Sequence, residues 1–314
     1  MERAPALLLV LLLLFVAAFA AYRTRALRRR RPEEKPGVPP PVAPAGATGS
    51  TEALARQLGV PPVVLKRPTP ARHPIVLAHG YFGFDAIGMH RLRREYFRGV
   101  RGRLEALGHS VYCVRVPAMA GIARRAEELA AQVRGIPGDR VNIIAHSMGG
   151  LDARYAISRL GLEGRVASLT TIGTPHRGTP IADTSALWLG DRFRLKRVFG
   201  SVGASLDGIY DLTTERMAEF NRAVLDAPGV SYASVVGSVP RGSGPIHAFL
   251  VPGYTYLLKT AGPNDGMVPA ASQRWGNVLG EVAADHWAQI GWSRGFDVRA
   301  FYALLVEYLA EHGL

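Results

Sequence analysis

Residues 141–150 read Val-Asn-Ile-Ile-Ala-His-Ser-Met-Gly-Gly. An apolar run of strand character leads into Ser147, and a helix-forming stretch follows. The spacing matches the G-x-S-x-G elbow, in which a serine occupies a sharp strand-to-helix turn. The residues two before and two after that serine must be small, because strand and helix approach closely there. Gly149 meets this need, and Ala145 stands in place of the first glycine with one extra methyl group. Such a turn projects the Ser147 hydroxyl at a helix amino terminus, where free amides and the local dipole favour developing negative charge. Ser147 is therefore the candidate nucleophile.

A serine hydroxyl needs a base, and the base needs an orienting carboxylate. Elbows of this type run in the order Ser, acid, His. His176, His247, His286 and His312 follow Ser147. His312 falls on what reads as a terminal helix. His176, in Gly-Thr-Pro-His-Arg-Gly (173–178), comes too early to follow an acid. Asp265 lies in Pro-Asn-Asp-Gly-Met-Val (263–268), a polar turn suited to presenting a carboxylate. With Asp265 as acid, His247 breaks the order and His286 keeps it. Asp285 adjoins His286, but adjacent side chains seldom orient one another, so it reads as a loop residue. Negative charge on an attacked carbonyl oxygen needs two backbone N–H groups. Met148, directly after the nucleophile, would supply one. Tyr81, in Leu-Ala-His-Gly-Tyr-Phe-Gly (77–83) just past an apolar strand, would supply the other.

These groups are far apart in sequence and need a frame that gathers them at one edge. From His73 onward, short apolar runs alternate with longer amphipathic ones. Strands are predicted at 75–78, 111–116, 141–145, 168–172 and 232–236, and helices at 91–107, 122–134 and 150–160. This alternation, with strands apolar on both faces, predicts an α/β fold: a mainly parallel central sheet covered by helices on both faces. There is no internal repeat. Residues 181–221 break the rhythm, mixing Leu187, Trp188, Phe193 and Phe199 with Arg192, Arg194, Lys196 and Arg197. They read as an inserted helical lid over the carboxyl ends of the strands.

The chain has 314 residues, 48% apolar and 20% charged, a globular composition. Its net charge is +13. No zinc-finger or recognition-helix signature accompanies that charge, so nucleic acid is not an expected partner; an anionic membrane surface suits it. The single cysteine, Cys113, excludes an intrachain disulfide and a zinc site built on several thiolates. Residues 4–22 carry no charge, enough helix to cross a hydrocarbon core, and Arg23, Arg25 and Arg28 to Arg31 follow at once. Residues 1–31 are read as an uncleaved membrane anchor with an arginine-rich flank, which by the positive-inside rule keeps the remainder cytoplasmic. A cleaved signal ending near Ala18-Phe19-Ala20 is the alternative, and it implies export. Residues 32–50, rich in Pro, Gly and Ala, read as a linker, and residues 51–314 as the catalytic domain.

Taken in chain order, five segments resemble the bacterial triacylglycerol lipases of the α/β-hydrolase fold, of the pseudomonad type. They are His-Gly-Tyr-Phe-Gly-Phe-Asp (79–85), Ala-His-Ser-Met-Gly-Gly (145–150), Ile-Gly-Thr-Pro-His-Arg-Gly (172–178), Asn-Asp-Gly (264–266) and Asp-His (285–286). The resemblance implies a serine hydrolase that cleaves carboxylic esters of lipids through an acyl-enzyme, without a cofactor, under a mobile helical lid. It also implies that Arg125 supports the oxyanion loop. Secreted members bind calcium through a carboxylate two residues after the catalytic histidine; Ala288 stands there, so no metal is expected. The family is usually exported, in conflict with the arginine run. A short-chain carboxylesterase, a phospholipid acyl hydrolase and an inactive membrane-tethered binding module are the competing readings.

Overall fold

Short runs of aliphatic residues build the centre of the molecule. The strands are β1 (Ile75–Ala78), β2 (Ala86–Ile87), β3 (Arg94–Glu95), β4 (Val111–Cys113), β5 (Val141–His146), β6 (Val166–Ile172), β7 (Ser231–Gly237) and β8 (Asn277–Val282). The helices from Val100 onward are α1 (Val100–Ala106), α2 (Ile122–Arg134), α3 (Gly149–Arg159), α4 (Pro180–Trp188), α5 (Asp207–Asp211), α6 (Thr214–Ala223), α7 (Val251–Thr260), α8 (Ala270–Gln273) and α9 (Val298–Glu311). The structure is a computed structural model and describes residues 50–59, 70–81, 86–87, 94–188, 207–242 and 244–314. The anchor and most of the linker expected at 1–50, and the centre of the expected lid at 189–206, lie outside the described residues. Among the described residues no helix is long and apolar enough to cross a membrane.

Six strands form one sheet in the order β4-β1-β5-β6-β7-β8, every neighbouring pair parallel. Its residues alternate between two cores. Ile75, Leu77 and Ile144 face a layer that includes Val100, Leu104, Phe301 and Leu305. Val76, Ala78, Ile143 and Ala145 face Ala126, Leu129, Val133 and Ile157. β1 and β5 are buried on both sides, which explains why their sequences run apolar without polar alternation.

The chain passes from β1 out to β4, then returns across β1 to β5. Its winding direction therefore reverses between β1 and β5, and loops leaving the carboxyl ends of these strands diverge around a crevice. Ala78 and Ala145 are paired at that end. The loop that begins at His79 and the turn that carries Ser147 thus start side by side.

The structure differs from expectation in places. The helix expected at 91–107 begins only at Val100. Gly99 before it is left-handed, with φ 69, and Arg94–Glu95 pair antiparallel with Ala86–Ile87 instead. Tyr96 and Phe97 turn inward to the core. Strand β8 was not expected, because Gly280 and Glu281 interrupt its apolar pattern and its pairing with β7 shifts register. The 181–221 stretch is helical where described, as α4, α5 and the start of α6. The Asp183 carboxylate accepts from the Thr214 N–H and hydroxyl at 2.8 and 3.0 Å, fastening α4 to α6.

Two glycines separate packing from propensity. A Cβ on Gly149 would stand 2.6 Å from the Ala78 carbonyl oxygen and 2.7 Å from that of His79. Both are backbone atoms of β1 and its loop, so they cannot rotate away. Gly102, inside α1, has nothing within 4 Å of its Cβ position. Gly149→Ala is expected to cost about 1–3 kcal/mol, whereas Gly102→Ala should stabilise by about 0.5–1 kcal/mol through helix propensity. Urea denaturation of both variants checks the pair.

Candidate active site

Strand β5 ends in a turn whose backbone is forced. Ser147 has φ 55, and outside residues 51–58 it is the sole non-glycine residue with positive φ among those described. The Ser147 N–H donates to the Ile172 carbonyl at 2.9 Å, and its own carbonyl accepts from the Thr174 hydroxyl at 2.7 Å. Those two bonds pin the turn between β5 and β6. A Cβ on Gly150 would meet Thr174 Oγ1 at 2.4 Å, so the glycine pair lets helix α3 start directly behind the serine. Met148 lies at the head of that helix, fully buried.

The structure brings together the three side chains named from chain order. Ser147 Oγ lies 3.0 Å from His286 Nε2, and His286 Nδ1 lies 2.7 Å from Asp265 Oδ2. Asp265 is fully buried. Its other oxygen, Oδ1, accepts from the Met267 and Val268 N–H groups at 2.9 and 2.8 Å. The turn that presents it is closed by Asn264, whose side-chain oxygen accepts the Gly266 N–H at 2.8 Å. Gly266 has φ 98, a conformation for which glycine is suited. The His286 N–H also donates to the Asp265 carbonyl at 2.8 Å, so both loops are joined through backbone as well as side chains.

The loop after β1 passes across the nucleophile. A Cβ on Gly80 would lie 2.7 Å from Ser147 Cβ and 3.1 Å from its Oγ, which places the Tyr81 backbone beside the reacting hydroxyl. Arg125 on α2 holds this loop. Its guanidinium donates to the His79 and Pro117 carbonyls, each at 2.9 Å, and pairs with Asp152 of α3 at 2.8 Å. Both members of that pair are fully buried. Burial pushes the Asp152 carboxyl up to about 6, against the pull of Arg125. The His79 ring is structural: Nε2 accepts the Val116 N–H at 3.3 Å.

The histidines set aside by chain order lie elsewhere. His176 is buried beside Arg154 and stacked on Trp275; burial, with Arg154 and Arg177 beyond it, holds its imidazole well below the usual range. Arg154 lies 3.5 Å above the Trp275 ring and donates to Asn221 Oδ1 and the Val224 carbonyl, tying α6 and its end to α3. The His247 ring contacts Phe249 and Trp287. Asp285 is more than a passive loop residue. Its carboxylate accepts from the N–H groups of His247, Trp287 and Ala288 and from the Ser293 hydroxyl. It shapes the loop that carries His286 without touching the imidazole. Sequence reasoning missed this, and missed the buried Tyr96, His146 and Gln289 beside the triad. The available signal was that His146 adjoins the serine and that Gln289 follows His286 by three residues.

Ala288 is buried, and among the described residues no group of three or more His, Cys, Asp or Glu side chains is placed to hold a metal ion. The side chains as placed can do one chemistry directly: relieve Ser147 of its proton through His286, whose ring Asp265 orients.

The pattern of the Alpha/beta hydrolase family matches residues 75–296. The chain is 31% identical to Triacylglycerol lipase 2 of Saccharomyces cerevisiae over 309 residues, covering 78% of this chain and 93% of that one. It is 36% identical to the Triacylglycerol lipase of Pseudomonas fragi over 139 residues, 43% of each. The crystal structure of Bacillus licheniformis lipase BlEst2 in mature form superposes with a TM-score of 0.58 at 25% identity, covering 72% of this chain and 90% of that one.

Removing one member of a buried ion pair strands the other. Arg125→Met should cost about 3–5 kcal/mol of stability by leaving the Asp152 charge uncompensated. Combining it with Asp152→Leu should restore most of that loss, because no buried charge remains. Ester turnover by the double variant should stay low, since the His79 carbonyl has still lost its donor. Denaturation midpoints and kcat of the three proteins check both expectations.

Proposed function

The chain belongs to the alpha/beta hydrolase family, and we propose on that footing that it is a lipase, a serine hydrolase of long-chain lipid esters such as triacylglycerols. It is a carboxylic ester hydrolase. The observation that carries the serine mechanism is the continuous contact Asp265–His286–Ser147, at 2.7 and 3.0 Å, ending on a serine with φ 55.

Ser147 Oγ attacks the ester carbonyl carbon as His286 Nε2 accepts the hydroxyl proton. Asp265 stays ionised and stabilises the imidazolium through Nδ1. The carbonyl oxygen, now negative, is met by the N–H groups of Met148 and Tyr81. The tetrahedral species collapses, the alcohol leaves with the proton from His286, and the acyl group remains on Ser147. Water, deprotonated by His286, attacks the acyl carbon; the carboxylic acid departs and the serine regains its proton.

The long-chain reading draws on the named activities of the relatives and on the helical cover. α5 packs against the oxyanion loop: a Cβ on Gly208 would lie 2.3 Å from the Tyr81 ring. The Asp211 carboxylate caps α2 at the Ile122 N–H, 2.8 Å away. The described part of residues 181–221 thus touches the loop that must hold the oxyanion, and we read the stretch as a lid. Residues 4–22, uncharged and followed by six arginines, we read as an anchor that keeps the enzyme at a membrane surface.

The test is hydrolysis of tributyrin and triolein emulsions by the full chain, with Ser147→Ala beside it. Serine-dependent release from both, with a rate jump once substrate forms an interface, is the expected result. Ser147→Ala should lose about 10³-fold or more in turnover. Release from tributyrin alone would replace the lipase reading with a short-chain carboxylesterase and make the inserted helices ordinary core.

A further inference from the structure

Behind the triad lies a second row of polar side chains that the reaction steps leave unused. Tyr96, His146 and Gln289 are buried. The Tyr96 hydroxyl accepts the Gly80 N–H at 3.1 Å and lies 2.7 Å from His146 Nδ1. The Gln289 amide donates from Nε2 to Asp265 Oδ2 at 3.0 Å, the same oxygen that meets His286. Two buried polar atoms of this row have no partner of full hydrogen-bond geometry: His146 Nε2 and Gln289 Oε1. One is a donor in the neutral Nε2–H tautomer, and the other is an acceptor.

Gln289 is walled in. A Cβ on Gly173 would stand 2.2 Å from its Oε1, and a Cβ on Gly237 would stand closer still to its Nε2. Both glycines therefore leave room for this carboxamide, and its orientation is set by the carboxylate it serves. The His146 ring lies 4.5 Å from that of His286. Burial pushes the His146 imidazole well below its usual range and His286 adds to this, while hydrogen-bonding contact with the His286 backbone and the Gln289 side chain acts in the opposite sense. Among the described residues, Tyr96 and His286 are the titratable groups that face it, with Asp265 beyond Gln289.

Resting on the serine-hydrolase reading above, we propose that Tyr96, His146 and Gln289 are positioning residues that work as one unit, joining the oxyanion loop at Gly80 to the Asp265 carboxylate. His146 is held neutral with its proton on Nε2. Tyr96 donates to Nδ1, and the Nε2–H is directed at Gln289 Oε1. The unit has two effects. It fixes the Gly80 peptide, and so the Tyr81 N–H that follows, relative to the triad. It also keeps an uncharged ring against His286, so the imidazolium formed during acylation meets no neighbouring cation. A charged His146 there would oppose that step.

The test is a double-mutant cycle on the full chain with Tyr96→Phe and Gln289→Leu, singly and together. Turnover of a soluble p-nitrophenyl ester is normalised to active sites titrated with a fluorophosphonate. Each single variant should lower kcat about tenfold with KM within about twofold. Residues that act as a unit are not additive, so the double variant should fall no more than about threefold below the worse single one. Losses that simply multiply would overturn the proposal. Nitrogen-15 imidazole spectra give a readout independent of turnover. His146 should appear as the neutral Nε2–H tautomer from about pH 5 to about pH 8; an imidazolium, or a proton on Nδ1, would also overturn it. Should Tyr96→Phe fail to fold, Gln289→Leu carries the test: an unmoved His146 resonance defeats the proposal. Undiminished turnover by Ser147→Ala would instead defeat the hydrolase reading while leaving the spectra to decide the network.

Discussion

The backbone of Ser147 stands at φ 55, where an L-residue crowds its own Cβ against the peptide. Such a conformation costs on the order of 1–3 kcal/mol and persists only where its surroundings over-determine it. Here they do so from every side. The Ile172 carbonyl and the Thr174 hydroxyl hold the two ends of the peptide. Gly80, Gly149 and Gly150 leave no Cβ where the β1 loop, the nucleophile and helix α3 converge. The strained turn in return directs the serine outward at the point where strand winding reverses, the place in such a sheet where loops open a crevice.

Around that turn, charge is buried only where it organises backbone. Arg125 and Asp152 are fully enclosed, yet the guanidinium spends its remaining donors on the His79 and Pro117 carbonyls. Asp265 and Asp285 are both buried carboxylates, and each receives four donors. The difference is what those donors are. Asp265 gives one oxygen to its own turn and the other to His286 and Gln289. Asp285 is saturated by three backbone N–H groups and a hydroxyl, so it has nothing left for an imidazole. Two neighbouring acids thus divide the work: one forms the loop and the other orients the base.

The nearly unbroken apolar runs of β1 and β5 are readable because both faces of those strands are buried and the composition says so directly. The same rule fails at β8, where Gly280 faces Leu58 and Glu281 is exposed at the sheet edge. It fails again before α1, where Tyr96 and Phe97 fit a helical spacing but are drawn inward ahead of a left-handed Gly99. Pattern reports which residues are apolar; it does not report which of several apolar neighbours reaches the core first.

Ser147, Asp265 and His286 could be named from the chain alone, since the small residues around the elbow, the polar Asn-Asp-Gly turn and the order Ser-Asp-His are local or ordinal properties. Those survive translation into one dimension. The partners of Gln289 and Tyr96 do not. Gln289 Nε2 meets a carboxylate 24 residues away, and the Tyr96 hydroxyl meets an imidazole 50 residues away. Neither contact leaves a spacing, a periodicity or a composition behind. A hydrogen bond is satisfied by position in space within about 3 Å, and only the packing of β1, β5 and the two catalytic loops brings those atoms that close.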